Sequence, residues 1–511
     1  MTTGPIYNAA TELIDRHMAE GRTAQPALID AAGPFTYGNL ADMTSRMANV
    51  LAAIGLRREA RIALLLLDTR DFPIAFWGAI KAGIVPVALN TLLTTEQYAY
   101  ILADSRAEAL IVSAPLYATI EPILARLPAL RHVFVSGAGP HLPENDLAHA
   151  LARQPAATTV AATSPDETAF WLYSSGSTGN PKGVRHVHTS LGDTARLYGE
   201  AVLGLRPDDV VFSAAKLFFA YGLGNGMTFP LAVGATAILL ADRPTPESVF
   251  KILAEHRPTV FFGVPTLYAA MLAHPGADEA MASSRLRVCV SAGEALPAEV
   301  GHAWKRRFGV DILDGVGSTE MLHIYVSNRP GDIQYGSSGK PVPGYRVRLI
   351  DEHGADVAVG EVGEMLVSGP TVAEGYWNQR EKSRRTFAGE WMHTGDKYVC
   401  DRGGCYTYQG RTDDMFKVSG IWVSPFEVES ALVSHPAVLE AAVVAREDGD
   451  GLTKPRAVVV LKPGQSSEGL VPMLQDHVKA TAGPWKYPRW IEFTDALPKT
   501  ATGKIQRFKL R

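Results

Sequence analysis

Residues 173 to 184 read YSSGSTGNPKGV, which combines three glycines with five hydroxyl-bearing side chains and one lysine. Ser174, Ser175, Ser177 and Thr178 can donate hydroxyl hydrogen bonds, and Lys182 is a mobile point charge. Gly176, Gly179 and Gly183 let the backbone approach an anion closely. These are the parts of a phosphate cradle, but not of a Walker A loop, which needs Lys after its last Gly and a hydroxyl after Lys. Here Lys182 precedes Gly183, and Val184 can hold no metal. Gly and Ser also make flexible linkers. The position of this stretch, after the strand-like WLYSS and inside an α/β pattern, favours the phosphate reading.

Four further segments offer chemistry. VSAGEALP (290–297) and DGVGSTE (314–320) each follow an apolar run, and open α/β sheets bind ligands at strand carboxyl ends. Thr319 offers a hydroxyl for phosphate, and Glu320 a carboxylate for a hard cation such as Mg²⁺. In HTGD (393–396), Asp396 follows a tight turn and could accept both hydroxyls of a ribose, although an Asx turn uses the same residues. In PKTATGKIQR, Lys504 follows a glycine in a basic tail that by composition is an ordinary solvated C-terminus.

The elements that must position these residues alternate in type. ARIALLLL, IVPVALN and ALIVS (109–113) read as buried strands, with FPIAFWGAIKAG a helix ending at Gly83. VVFSAAK, ATAILLA, TVFFGVP and RVCVSAG repeat the pattern, and TPESVFKILAEHRP is a helix starting at Thr245 or Pro246. The spacing predicts two similar α/β layers rather than one long sheet. From about residue 335, RVRLID, GEMLVSG and GCYTYQGR are short strands between Gly-rich turns, a pattern for an antiparallel sheet or small barrel. After Arg411, FEVESALVSHPAVLEAAVVAREDG reads helix, turn, strand, and AVVVLK a further strand. The last hundred or so residues form a small α+β domain of their own.

A chain of 511 residues is too long for one ordinary core. Its net charge of −4 leaves no footprint for nucleic acid or an anionic membrane. MTTGPIYNAATELIDRH lacks the apolar region of a secretory signal, and runs such as IALLLL are too short to span a bilayer. Three cysteines, Cys289, Cys400 and Cys405, suggest reduced thiols in a cytoplasmic protein rather than a disulfide framework or a zinc site.

Taken together and in order, YSSGSTGNPKGV, DGVGSTE, HTGD, GRTDDMFKVSG and PKTATGKI resemble the motifs of the adenylate-forming superfamily, which includes acyl-CoA synthetases, adenylation domains and firefly luciferase. The resemblance runs through nearly the whole chain. It implies a large N-terminal domain (1–411) of two αβα layers with a β-barrel-like subdomain. A small mobile α+β domain (412–511) follows, hinged near Asp413. It also implies a two-step reaction: a carboxylate attacks the α-phosphorus of ATP, and a thiol then attacks the acyl-AMP. Ser174 to Gly179 and Lys182 would hold the β- and γ-phosphates, with Mg²⁺ on Glu320. Gly293, Glu294, Ala295, Asp314 and Gly315 would flank adenine, and Asp396 with Arg411 would take the ribose. Lys504 would bridge the substrate carboxylate and the α-phosphate, then leave as the small domain turns and brings up Ser419 and Gly420.

With no carrier module after residue 511, coenzyme A is the expected acceptor. In GPWKYPRW, Trp485 could stack on its adenine while Lys486 and Arg489 meet phosphates; a solvated basic turn is the equal alternative. KLFFAYGLGNG (216–226) lacks the Asp of amino-acid-activating relatives. Together with GSTEMLHIY it most resembles benzoate-CoA ligases, which implies an acid pocket of Ala220, Tyr221, Ala292, Gly293, Gly317, His323 and Ile324. Phe218 reads instead as core packing. A small aromatic acid is therefore expected, with 2-amino or hydroxy substituents open. A short- or medium-chain fatty acid, or a non-catalytic relative, is the alternative. A homodimer is left open, as is a lysine acetyltransferase and deacetylase pair acting on Lys504.

Overall fold

A computed structural model describes residues 5–138, 145–174, 180–281, 284–412, 414–418, 421–449, 452–499 and 505–511. Two mixed sheets form the bulk of the chain. The first has seven strands in the order Gly375–Tyr376, Lys182–Val187, Thr168–Ser174, Val85–Ala88, Arg61–Leu65, Ala109–Ser113, His132–Ser136. The second has nine, with the parallel strands Val210–Ser213, Val260–Gly263, Val288–Ser291 and Ile312–Gly317 at its centre.

The apolar runs are continuous because both faces of each sheet are covered. Ile62 and Leu64 point into a core shared with Val260, Phe262, Val290 and Leu313 of the other sheet. The alternate residues Ala63 and Leu65 pack outward under helices, as do Phe261 and Cys289 on the far side. The helix Pro246–His256 starts as its sequence suggests. The Thr245 hydroxyl accepts the Ser248 amide, and Ser248 Oγ accepts the Thr245 amide at 2.8 Å.

A five-stranded antiparallel sheet follows, in which Trp391–Cys400 pairs with both Val362–Ser368 and Tyr406–Arg411. The small C-terminal domain has a three-stranded sheet, Val438–Glu447, Thr453–Leu461 and Trp490–Phe493, with the helices Pro425–Val433 and Leu470–Ala482 packed together. The architecture is thus the α/β arrangement expected, a large N-terminal domain of two layers plus a small α+β domain. Among the described residues no helix is long and apolar enough to cross a membrane.

Candidate active site

The phosphate-type stretch is the connection of an antiparallel hairpin. Thr168–Ser174 runs into it and Lys182–Val187 runs out, with Ser174 opposite Lys182. Ser175, Gly176, Ser177, Thr178 and Gly179 lie outside the described residues. Ser174 Oγ is buried and has no partner among the described residues. Side chains alternate along the second strand, so Lys182, Val184 and His186 share one face. From that face Lys182 Nζ lies 3.6 Å from Glu320 Oε1 and donates to the Tyr376 hydroxyl at 3.4 Å. The Tyr376 hydroxyl in turn donates to Glu320 Oε1 at 2.8 Å. Burial lowers the Lys182 ammonium from its ordinary range, against the pull of Glu320, and the neighbouring cations Lys382 and Arg411 lower it further. His186 Nε2 meets the Thr319 carbonyl at 2.8 Å, and burial pushes this imidazole down to about 4.

Of the residues expected to flank adenine, Gly293, Glu294 and Ala295 follow the strand Val288–Ser291. Gly293 is exposed, with φ +93° and open space where a side chain would be. Asp314 and Gly315 lie inside the strand Ile312–Gly317, with Asp314 opposite Ser291. Asp314 is fully buried, which raises its carboxyl far above the usual range. Its Oδ1 has no partner among the described residues. Asp396 and Arg411 face each other across adjacent strands, in backbone register and with Nη1 3.1 Å from Oδ1. The same guanidinium donates to the Thr394 carbonyl at 3.2 Å.

The residues expected to line the acid pocket lie on three segments, with Ala292 and Gly293 just after the strand Val288–Ser291. Ala220 and Tyr221 start a short helix, and Gly317, His323 and Ile324 belong to one tight turn, Gly317 standing opposite Ile324. A methyl on Gly317 would lie 2.5 Å from the His323 carbonyl, so the close approach requires glycine. The buried His323 ring contacts Phe229 edge-on at 4.5 Å, with Tyr198 at 5.3 Å and Tyr221 at 5.6 Å. Its Nε2 lies 3.0 Å from Asn225 Oδ1 and 3.3 Å from the Tyr221 carbonyl, while Nδ1 has no partner among the described residues. The Tyr221 hydroxyl sits 3.2 Å from the carbonyls of Gly263 and Val290, at the ends of two central strands. Ala292 and Phe218 are buried.

In the small domain, Asp413, Ser419, Gly420 and Lys504 lie outside the described residues. Trp485 is 58% exposed. Lys486 Nζ is 2.6 Å from both oxygens of Glu427, and the Arg489 guanidinium stacks 3.7 Å above Tyr487.

The model for AMP-binding enzymes matches residues 15–377, and that for the AMP-binding enzyme C-terminal domain matches 427–504. The chain belongs to the AMP-binding enzyme family. It is 57% identical to the benzoate–CoA ligase of Thauera aromatica over 508 residues, 99% of this chain and 96% of that one. Among solved structures it resembles a benzoate CoA ligase from Burkholderia xenovorans LB400, with TM-score 0.92, 52% identity and coverage of 99% of this chain and all of that one. The anthranilate CoA ligase AuaEII in complex with anthranoyl-AMP gives TM-score 0.95 at 44% identity, covering 99% and 97%.

In this AMP-binding enzyme, Glu320 is a single hard carboxylate; the described residues hold no group of three metal-ligating side chains. That donor set fits Mg²⁺ carried on phosphates, an ion that keeps several waters and takes one or two protein carboxylates. Tyr376, His186 and Asn225 were not singled out from sequence. Asn225 stood inside the segment KLFFAYGLGNG, but Tyr376 reaches Glu320 only because its edge strand pairs with Lys182–Val187. No local pattern signals that pairing.

Proposed function

We propose that the protein is an ATP-dependent aryl-CoA ligase. It joins benzoate or a small substituted benzoate to AMP and then transfers the acyl group to coenzyme A, releasing AMP and pyrophosphate. One observation carries this reading. The turn from Gly317 to Ile324 bears both Glu320, beside Lys182, and His323, inside an aromatic cluster. A phosphate held at one end of that turn and an aryl acid at the other bring an α-phosphorus and a carboxylate together.

In this reading the stretch from Ser174 to Gly179, with Lys182 and Thr319, holds the β- and γ-phosphates. Magnesium bound at Glu320 would neutralise part of the phosphate charge. Gly293, Glu294, Ala295, Asp314 and Gly315 border adenine, and Asp396 takes the ribose hydroxyls with Arg411 beside it. The acid carboxylate attacks the α-phosphorus as the bond to pyrophosphate breaks, and Lys504 offsets repulsion between the two anions. The domain 412–511 then turns about Asp413. Ser419 and Gly420 line the thiol path, with Trp485, Lys486 and Arg489 toward the CoA nucleotide, and the thiolate displaces AMP. The separate family matches on either side of residues 378–426 support this division.

Both polar groups near the ring are committed, the Tyr221 hydroxyl to carbonyls and His323 Nε2 to Asn225, which favours benzoate. The Nδ1 of His323, which has no partner among the described residues, favours a second reading, a benzoate with a hydrogen-bond donor on the ring. AMP formation with benzoate, 2-aminobenzoate, hydroxybenzoates and hexanoate separates these. A preference for hexanoate overturns the aryl assignment, and absence of pyrophosphate exchange with every acid points to a non-catalytic relative. A cytoplasmic location, a homodimer and silencing by Lys504 acetylation belong to the same reading. An acetylated preparation that adenylates at full rate overturns the last.

A further inference from the structure

The turn carrying Thr319 and Glu320 is gripped at three consecutive carbonyls. The Thr319 carbonyl accepts from His186 Nε2 at 2.8 Å, that of Glu320 from the Ala373 amide at 2.8 Å, and that of Met321 from Thr371 Oγ1 at 2.7 Å. Ala373 and Thr371 come from one loop. His186 comes from the hairpin strand, four residues after Lys182 and on the same face. One strand therefore holds this turn twice: Lys182 at the Glu320 carboxylate, His186 at the preceding carbonyl.

A carbonyl only accepts, so Nε2 carries the proton and Nδ1 is left as a lone pair. That Nδ1 is buried without a partner among the described residues. The ring stacks on Phe170 at 5.2 Å and 19°. A phenylalanine would keep the stack and remove the buried orphan acceptor, which is a destabilising feature. What histidine supplies here and phenylalanine cannot is the bond to the Thr319 carbonyl.

We propose that His186 is a positioning residue for the magnesium nucleotide. By fixing the Thr319–Glu320 peptide, it aims the Glu320 carboxylate at the Mg²⁺ that accompanies ATP. This rests on the reading of Glu320 given under Proposed function.

The test uses the full chain and three variants, H186F, H186Q and H186N. Two quantities are measured: the free Mg²⁺ needed for half-maximal thermal stabilisation by ATP, a binding readout without turnover, and benzoate-dependent pyrophosphate exchange. H186F and H186N are expected to need about tenfold more Mg²⁺ and to raise KM for ATP similarly, with KM for benzoate unmoved, as for one lost hydrogen bond. H186Q, whose longer amide can still donate to the carbonyl, should stay within about threefold of the wild type. A wild-type Mg²⁺ requirement in H186F, or a lower unfolding temperature with the Mg²⁺ requirement unchanged, overturns the proposal. If H186F does not fold, H186Q and H186N decide, and equal Mg²⁺ requirements overturn it. Wild-type protein that ATP stabilises regardless of Mg²⁺ overturns the Glu320 reading itself.

Discussion

Tyr376 stands between an ammonium and a carboxylate, accepting from Lys182 and donating to Glu320. Burial, with the adjacent Glu320 charge, raises its phenol far above the ordinary value, so it remains a neutral donor. Tyr376→Phe should raise KM for ATP by about tenfold with little change in KM for the acid, measured by pyrophosphate exchange. His188 supplies a different prediction. Burial, helped by Arg58 and opposed by Glu167, lowers it to about 4, and its Nδ1 accepts the Ala9 amide at 3.3 Å. The unfolded chain takes up this proton near the ordinary value of 6.5 and the folded chain does not. The stability contribution is therefore intact above about 6.5. It falls by about 1.4 kcal/mol per pH unit as pH drops towards 4. His188→Gln should flatten the acid limb of urea stability by that slope between pH 6 and 5; parallel curves for the two proteins would contradict it. Glu320, Lys182 and Asp396 were legible in the sequence because each lies within three residues of a glycine in a short polar interruption of an apolar pattern. His186 and Tyr376 were not, since their roles depend on which strand lies beside which.

Elements fix the expected acid pocket through close approach as well as through the polar contacts of Tyr221 and His323. A methyl at Gly222 would sit 2.0 Å from the Lys216 carbonyl, and one at Gly224 would lie 2.5 Å from the His323 ring. Lys216, in turn, donates to the Asp242 carbonyl at 2.6 Å, anchoring the start of the segment. Gly222→Ala should cost about 1–3 kcal/mol in urea unfolding and weaken acid binding more than ATP binding. Unchanged stability would show that this backbone can give way. Strand and helix positions were readable because continuous apolar runs signal sheets covered on both faces, as at ALIVS, which is the strand Ala109–Ser113. The cradle was less readable. Its residues were named, but nothing local in YSSGSTGNPKGV announces that the chain turns back as a hairpin and pairs with Gly375–Tyr376.

At the scale of the molecule, the segment after Lys504 is tied down firmly. Arg507 meets the buried Glu429 at 2.7 Å, and Arg511 meets Asp414, next to the proposed hinge, at 2.6 Å. In the proposed reaction Lys504→Ala should slow adenylation by about a hundredfold or more, yet leave thioester formation from preformed acyl-AMP within a few fold. Equal losses in both half-reactions would contradict a lysine that acts in one and departs for the other. The tail looked ordinary in sequence because, in the proposed reaction, its position depends on docking of a whole domain, which composition does not encode. A cradle that opens into a helix draws roughly half an elementary charge from the helix macrodipole, always present and fixed in direction. Here the chain continues as the antiparallel strand Lys182–Val187, and strand dipoles largely cancel. Among the described residues, positive side chains on separate elements supply potential here: Lys182, with the fields of Lys382 and Arg411 reaching it. Attraction assembled in this way weakens when those elements shift; in the proposed reaction the departing pyrophosphate would meet a hold that can be relaxed, where a macrodipole would keep pulling.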